Sequence, residues 1–140
     1  MRVVFDTNIF VSAFVIPASQ AEKAILKIIE GEDVLLLSRE ILDELLFVLA
    51  SKFSRDEEEI SHVAVTLTEI AEWIKPTLRI AKLNDDPDNR VLECAVSGGA
   101  DVIVTGDKEM LRLGLYQDTK IISLKTYLAS DKYPYGPPAS

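Results

Sequence analysis

Four carboxylates pose the chemical question in this sequence: Asp6, Glu44, Asp88 and Asp107. Asp6 ends the apolar run VVF at 3–5, and Asp107 ends the stretch ADVIVTG, the plainest strand pattern in the chain. A strand that only fills a core needs no ionisable group where it stops. Asp88 falls in the polar loop NDDPDN at 84–89, at the cap or first turn of a helix expected over Val91 to Val96. Glu44 lies between Ile41 and Val48, on the border of the apolar stripe of a helix that follows the strand DVLLLS at 33–38. In an open parallel sheet, the loops beyond the carboxyl ends of the strands bring side chains from distant parts of a sequence into one crevice. All four acids are therefore expected at one sheet edge.

Carboxylates gathered there repel one another, and some take up protons at neutral pH unless a cation compensates. Oxygen donors without a neighbouring histidine or cysteine suit a hard ion, one or two Mg²⁺ or Mn²⁺, and disfavour zinc. Such ions activate water and stabilise the charge that develops on a phosphoryl group. The expected chemistry is metal-assisted attack of water on a phosphoryl group. Taken singly, each acid has a plainer reading: Asp6, Asp88 and Asp107 as helix caps, Glu44 as a solvated helix residue. Their joint placement is what favours a site. Asp85 and Asp86 are rivals to Asp88 within the same loop.

Other chemistries find less support. His62, the only histidine, is far in sequence from the four acids, which leaves a Ser-His-Asp hydrolase without a base. Gly98-Gly99 follows a helix and lacks the GxxxxGK frame of a phosphate-binding loop.

The elements that must position these residues alternate strand with helix. Ser19 and Glu22 have capping-box spacing before Ala24, Ile25, Ile28 and Ile29; Ser38 caps the helix bearing Ile41, Leu42, Leu45, Leu46 and Leu49. Ser54 with Glu57 repeats the box and opens a helix through Trp73, stopped by Pro76, with a third strand expected over Thr77 to Ile80. The segment Ile9 to Ile16 is apolar without strand alternation. A short helix over Lys108 to Leu113, a strand over Lys120 to Ser123 and a last helical turn over Thr126 to Ala129 complete the pattern. Continuous apolar strands between helices predict an α/β sandwich around a mainly parallel sheet of about five strands. The Tyr- and Pro-rich stretch 131–140 is expected to be an extended or disordered tail after a domain over 1–130.

With 140 residues, one domain is expected. The balance of 23 acidic against 15 basic residues, a net charge of −8, argues against nucleic-acid affinity from a broad basic surface. It does not argue against a nuclease whose carboxylates are neutralised by metal. Local basic groups for a substrate are Lys108 and Arg112, one turn apart, with Lys52 and Arg55. The single cysteine, Cys94, fits a reducing compartment and a small buried apolar role. No apolar run approaches the ~20 residues of a membrane-spanning helix and no leader pattern is visible, so a cytoplasmic chain is expected.

The stretches VVFDTNIFVSAF, SREILDELLFVL and DPDNRVLECAVSGGADVIVTGDKEML resemble, in that order, the PIN-domain family, and within it the VapC-like toxin ribonucleases of prokaryotic toxin-antitoxin pairs. The resemblance implies a three-layer α/β/α sandwich and a metal-dependent endoribonuclease. It implies hydrolysis by water, leaving 5′-phosphate ends. It places Asp6, Glu44, Asp88 and Asp107 on the family's acidic positions, Asp88 standing seven residues before Ala95, and Asn8 and Thr105 on supporting polar positions that orient them. It implies an RNA substrate, an antitoxin partner and a homodimer. The competing reading is a dimeric interaction module whose acidic pocket is filled by a partner's arginine, with little turnover. DNA is the alternative substrate. FDTN also resembles the start of the haloacid dehalogenase phosphatases, but Asn8 stands where those need a second aspartate. Ser38 and Arg39 likewise stand where a receiver domain needs its phosphoryl acceptor.

Overall fold

Val3, Val4 and Phe5 are fully buried because β1 (Arg2–Phe5) runs through the middle of the sheet, with a parallel neighbour on each side. The computed structural model describes residues 1–130; the expected tail, 131–140, lies outside them. The strand order is β3-β2-β1-β4-β6-β5. Here β2 is Val34–Leu37, β3 Ala71–Trp73, β4 Val102–Val104, β5 Leu115–Tyr116 and β6 Thr119–Ile122. All pairings are parallel except β5 with β6. Strands covered on both faces need no polar alternation, which is why VVF, LLL and VIV read as unbroken apolar runs.

The helices are α1 (Thr7–Val15), α2 (Gln20–Ile29), α3 (Arg39–Lys52), α4 (Glu57–Ile70), α5 (Asp86–Gly98), α6 (Lys108–Leu113) and α7 (Leu124–Ser130). They flank the sheet in the expected α/β/α sandwich, and one core runs from Val3 through Leu45 and Leu92 to Tyr127. Two caps form as the sequence predicts. The Ser19 hydroxyl accepts the Glu22 amide while Glu22 accepts the Ala18 amide, both at 3.2 Å, and Ser38 accepts the Ile41 amide at 3.3 Å.

The apolar stretch after Asp6, which lacks strand alternation, is the helix α1. Several other elements differ from expectation. Helix α4 ends at Ile70, not at Trp73, and Ala71–Trp73 leaves it to pair with β2 in the register Leu35↔Ala71, Leu36↔Glu72, Leu37↔Trp73. The open edge of β2 captures these residues, and Glu72 adds an exposed ion pair with Arg2 at 2.6 Å. Thr77 to Ile80, expected as a strand, is irregular. Asp56, not Ser54, caps α4, accepting the Glu59 amide at 2.8 Å, while Ser54 takes a positive φ of 52° just before it. The last strand begins one residue early, at Thr119, and the two-residue hairpin partner β5 makes six strands in place of about five. Among the described residues, no single helix is long and apolar enough to cross a membrane.

Candidate active site at the carboxyl edge of the sheet

Phe5 pairs with Val104, so β1 and β4 end side by side, and the Asp6 amide still donates to the Val104 carbonyl at 3.0 Å. Asp6 begins α1 yet makes no capping hydrogen bond through its side chain. Its carboxylate accepts instead from the Thr105 hydroxyl at 2.7 Å. Thr105 is fully buried, and the same oxygen accepts the Asp107 amide at 3.0 Å. One hydroxyl therefore fixes the Asp6 side chain and the Asp107 backbone together. Asp107 caps α6, accepting the Met110 amide at 2.9 Å. Asp88 sits in the first turn of α5, only 5% exposed, and its carboxylate accepts no hydrogen bond from the described residues.

These three acids share one electrostatic field. Burial, then the charges of Asp6, Asp107, Asp85 and Glu109, push the Asp88 carboxyl up to about 7. Burial also raises Asp6, with Asp107 adding to it, against the opposing Thr105 hydroxyl and the amides of Thr7 and Asn8. A buried carboxylate normally has a donor or a cation beside it, because an unpaired buried charge is costly. Among the described residues Asp88 has neither. A divalent cation fits this set chemically, since the donors are hard oxygens and the Asp88 carboxylate, on a residue only 5% exposed, accepts no hydrogen bond among the described residues. No three acidic side chains among the described residues converge as a ready-made ligand cage.

Glu44 is not among the charges acting on Asp6 or Asp88. It is half-buried on α3 and lines a cleft of about 440 Å³ together with Thr7, Glu40, Asp86, Pro87 and Arg90. The cleft meets the aspartates through Thr7 and Pro87, the chain neighbours of Asp6 and Asp88. Asp6, Asp88 and Asp107 thus act on one another's charge without closing into a cluster, and Glu44 lies in the adjoining wall. Of the two supporting residues, Thr105 orients its carboxylate as expected. The Asn8 side chain is exposed and makes no hydrogen bond among the described residues, so its contribution to Asp6 comes through its backbone amide. Lys108 and Arg112 project from α6, exposed and free of ion pairs among the described residues. Lys52 is exposed, and Arg55 is engaged with Glu59 at 3.3 Å. His62 is exposed on α4, and burial pushes the Cys94 thiol up to about 12, which leaves it unreactive.

A second set of polar residues escaped the sequence reading. From α5, Asn89 receives the Leu83 amide at 2.8 Å and donates to the Leu83 carbonyl at 3.0 Å. Arg90 donates to the Ile80 carbonyl, to Asp86 and to Glu93 at 2.9, 3.0 and 2.7 Å, and Glu93 accepts the Ile80 amide at 2.8 Å. Glu109 on α6 holds Asn84 through its amide and side chain at 3.1 and 2.8 Å. The irregular segment leading to Asp88 is therefore pinned at three points. The sequence signal was slight: polar residues three apart in a helix, with no strand or turn pattern opposite them.

Thr105→Val tests the role of the shared hydroxyl. It removes the donor to a buried carboxylate and the acceptor for Asp107 while keeping shape. We expect a loss of about 1–3 kcal/mol of stability, read by urea unfolding, because a buried carboxylate loses its donor. Roughly a 10- to 100-fold loss of any metal-dependent activity should accompany it. Unchanged activity in a folded variant would show that Asp6 needs no such anchor.

The PIN-domain family (PIN_3) matches residues 2–109. The chain is similar to the uncharacterized protein MJ1680 of Methanocaldococcus jannaschii, 30% identical over 117 residues that span 81% of this chain and 75% of that one. Two solved structures share its fold. VapBC2 from Rickettsia felis, bound to a promoter DNA fragment, superposes with a TM-score of 0.62 at 19% identity, over 88% of this chain and 98% of that one. VapBC-1 from nontypeable Haemophilus influenzae gives 0.61 at 21% identity, over 89% and 99%.

Proposed function

The chain belongs to the PIN-domain family, and from that membership we propose that it is a divalent-metal-dependent endoribonuclease, the toxin component of a toxin-antitoxin pair. The observation that carries the reading is Asp88: a buried carboxylate, unpaired within the described residues, pushed toward neutrality beside two further aspartates. At the pH of a cell that carboxyl either keeps a proton or takes a cation, and a divalent ion would relieve all three acids at once.

When bound, a Mg²⁺ or Mn²⁺ ion supplies positive charge to a phosphoryl oxygen and lowers the pKa of water. The chain's own part is to hold and orient. Thr105 fixes the Asp6 carboxylate by a 2.7 Å hydrogen bond, and the first turn of α5 carries Asp88 within reach of the charges of Asp6 and Asp107. Asp107, capping α6, gives the third oxygen donor. Glu44 in the neighbouring wall would be the fourth, facing the cleft side of a bound ion. Burial of Asp6 and Asp88 limits screening by bulk water, so their attraction for a bound cation would be strong. A water nucleophile displaces the 3′ oxygen and leaves 5′-phosphate ends on the RNA. Both solved relatives are VapBC assemblies, and by that analogy an antitoxin restrains this chain, which works as a homodimer.

The test is cleavage of a mixed-sequence single-stranded RNA with Mn²⁺, with an EDTA control and end-group analysis of the products. Cutting that needs Mn²⁺ and leaves 5′ phosphates is the expected result. Ends carrying 2′,3′-cyclic phosphate, or cutting that survives EDTA, would reject the mechanism. Mn²⁺ should also raise the melting temperature; a protein indifferent to Mn²⁺ would be an interaction module instead.

A further inference from the structure

We propose that Arg79 is a substrate-binding residue, a guanidinium in the wall of the cleft that adjoins the aspartates, there to grip a phosphate of the nucleic-acid chain. This rests on the nuclease reading and assigns a residue to its substrate side.

The cleft that Glu44 lines carries four acidic side chains and two guanidiniums. The guanidinium of Arg90 is committed, at 2.7 to 3.0 Å, to Asp86, Glu93 and the Ile80 carbonyl. That of Arg79 is exposed and makes no hydrogen bond or ion pair among the described residues. It is the one uncommitted cation in the cleft wall among the described residues. A polyanion approaching through this cleft meets its four acidic side chains, and on this side of the site Arg79 is the counterpart of Lys108 and Arg112 on α6. A fork of donors that can bind phosphate oxygens in pairs answers that need.

The second line of argument is the cost of holding Arg79 where it is. Its neighbour Ile80 has both backbone polar groups engaged by side chains, the amide by Glu93 at 2.8 Å and the carbonyl by Arg90 at 2.9 Å. The ion pair of Arg90 with Glu93 is nearly enclosed, with side-chain exposures of 10% and 4%. Burying an ion pair is expensive and often contributes nothing to net stability, so its presence under a loop asks what the loop presents. What this loop presents to the cleft is Arg79.

The experiment reads binding of a labelled mixed-sequence single-stranded RNA by fluorescence anisotropy, with Ca²⁺ in place of Mn²⁺ and gels to confirm an intact probe. Wild type, Arg79→Ala, Arg79→Lys and Lys23→Ala are titrated across a range of salt. Lys23→Ala, at an exposed position on α2, removes one charge away from the cleft. Arg79→Ala should bind about tenfold more weakly and lower the slope of log affinity against log salt by about one, with Arg79→Lys between it and wild type. Melting temperatures should match, because Arg79 is exposed. If Arg79→Ala binds like Lys23→Ala, with the same slope, the assignment is wrong while the nuclease reading stands. If wild type neither binds nor cuts the RNA, the nuclease reading falls and takes the assignment with it.

Discussion

Asp88→Asn is expected to abolish metal-dependent RNA hydrolysis and, in the same protein, to raise the stability of the metal-free form at neutral pH. The loss of activity should reach roughly three orders of magnitude or more, equivalent to about 4 kcal/mol of transition-state stabilisation, because a ligand that carries charge is replaced by one that does not. The gain in stability follows from the direction of the shift. The Asp88 carboxyl moves from its ordinary 3.8 up to about 7 in the fold. Between those values the folded protein keeps a proton that the unfolded chain has released. Stability therefore falls as pH rises through that window and is lowest above it. The amide introduced by the substitution does not ionise, so the variant escapes this decline. Thermal unfolding in EDTA should show the variant melting several degrees above wild type at pH 8 and close to it at pH 4. Saturating Mn²⁺ should reverse the order at pH 8, since it binds only the wild-type fold well. A variant less stable than wild type at pH 8 without metal would mean that Asp88 is paired in solution, and the cation argument would lose its basis.

Glu93→Ala should be the most damaging substitution away from the aspartates, costing about 3–5 kcal/mol. It leaves Arg90 enclosed without its closest counter-charge and removes the acceptor for the Ile80 amide. A marginal domain can lose most of its stability that way. Urea unfolding would measure it, and the double variant Glu93→Ala with Arg90→Met should recover much of the loss, because an apolar replacement of both partners strands no charge. A cost under about 1 kcal/mol for Glu93→Ala would show that the loop is open to water and the pair unimportant.

The sequence showed the strands best where they end in chemistry. Apolar runs stopping at Asp6, Ser38 and Asp107 marked β1, β2 and β4, and the serine caps marked α2 and α3, because both signals are local. The strand β3 was not legible. Ile70 and Trp73 both fit a helical period and Pro76 offered a natural stop, whereas the chain leaves the helix to satisfy the open edge of β2, a partner far earlier in the sequence. The clamp on Ile80 was hidden for a similar reason. In α5, residues from Asp88 to Ala95 are all buried, so no face distinguishes Arg90 and Glu93 as partners of a loop. Asp6, Asp88 and Asp107 were readable from where strands stop and a helix begins. Glu44 was placed on the right helix but one wall away, since wheel position fixes a side chain's face and not its reach.

The tie between Asp6 and Thr105 spans 99 residues of sequence. During synthesis Asp6 leaves the ribosome 99 residues before Thr105, which with Val104 anchors its carboxylate and its backbone. Until then β1 can pair with β2 but has no neighbour on its other side, and long-range parallel pairing of this kind forms late and slowly. An unfinished chain therefore has its first aspartate and no site. On the proposed ribonuclease reading, this order of assembly keeps the nascent chain from cutting the messenger that encodes it.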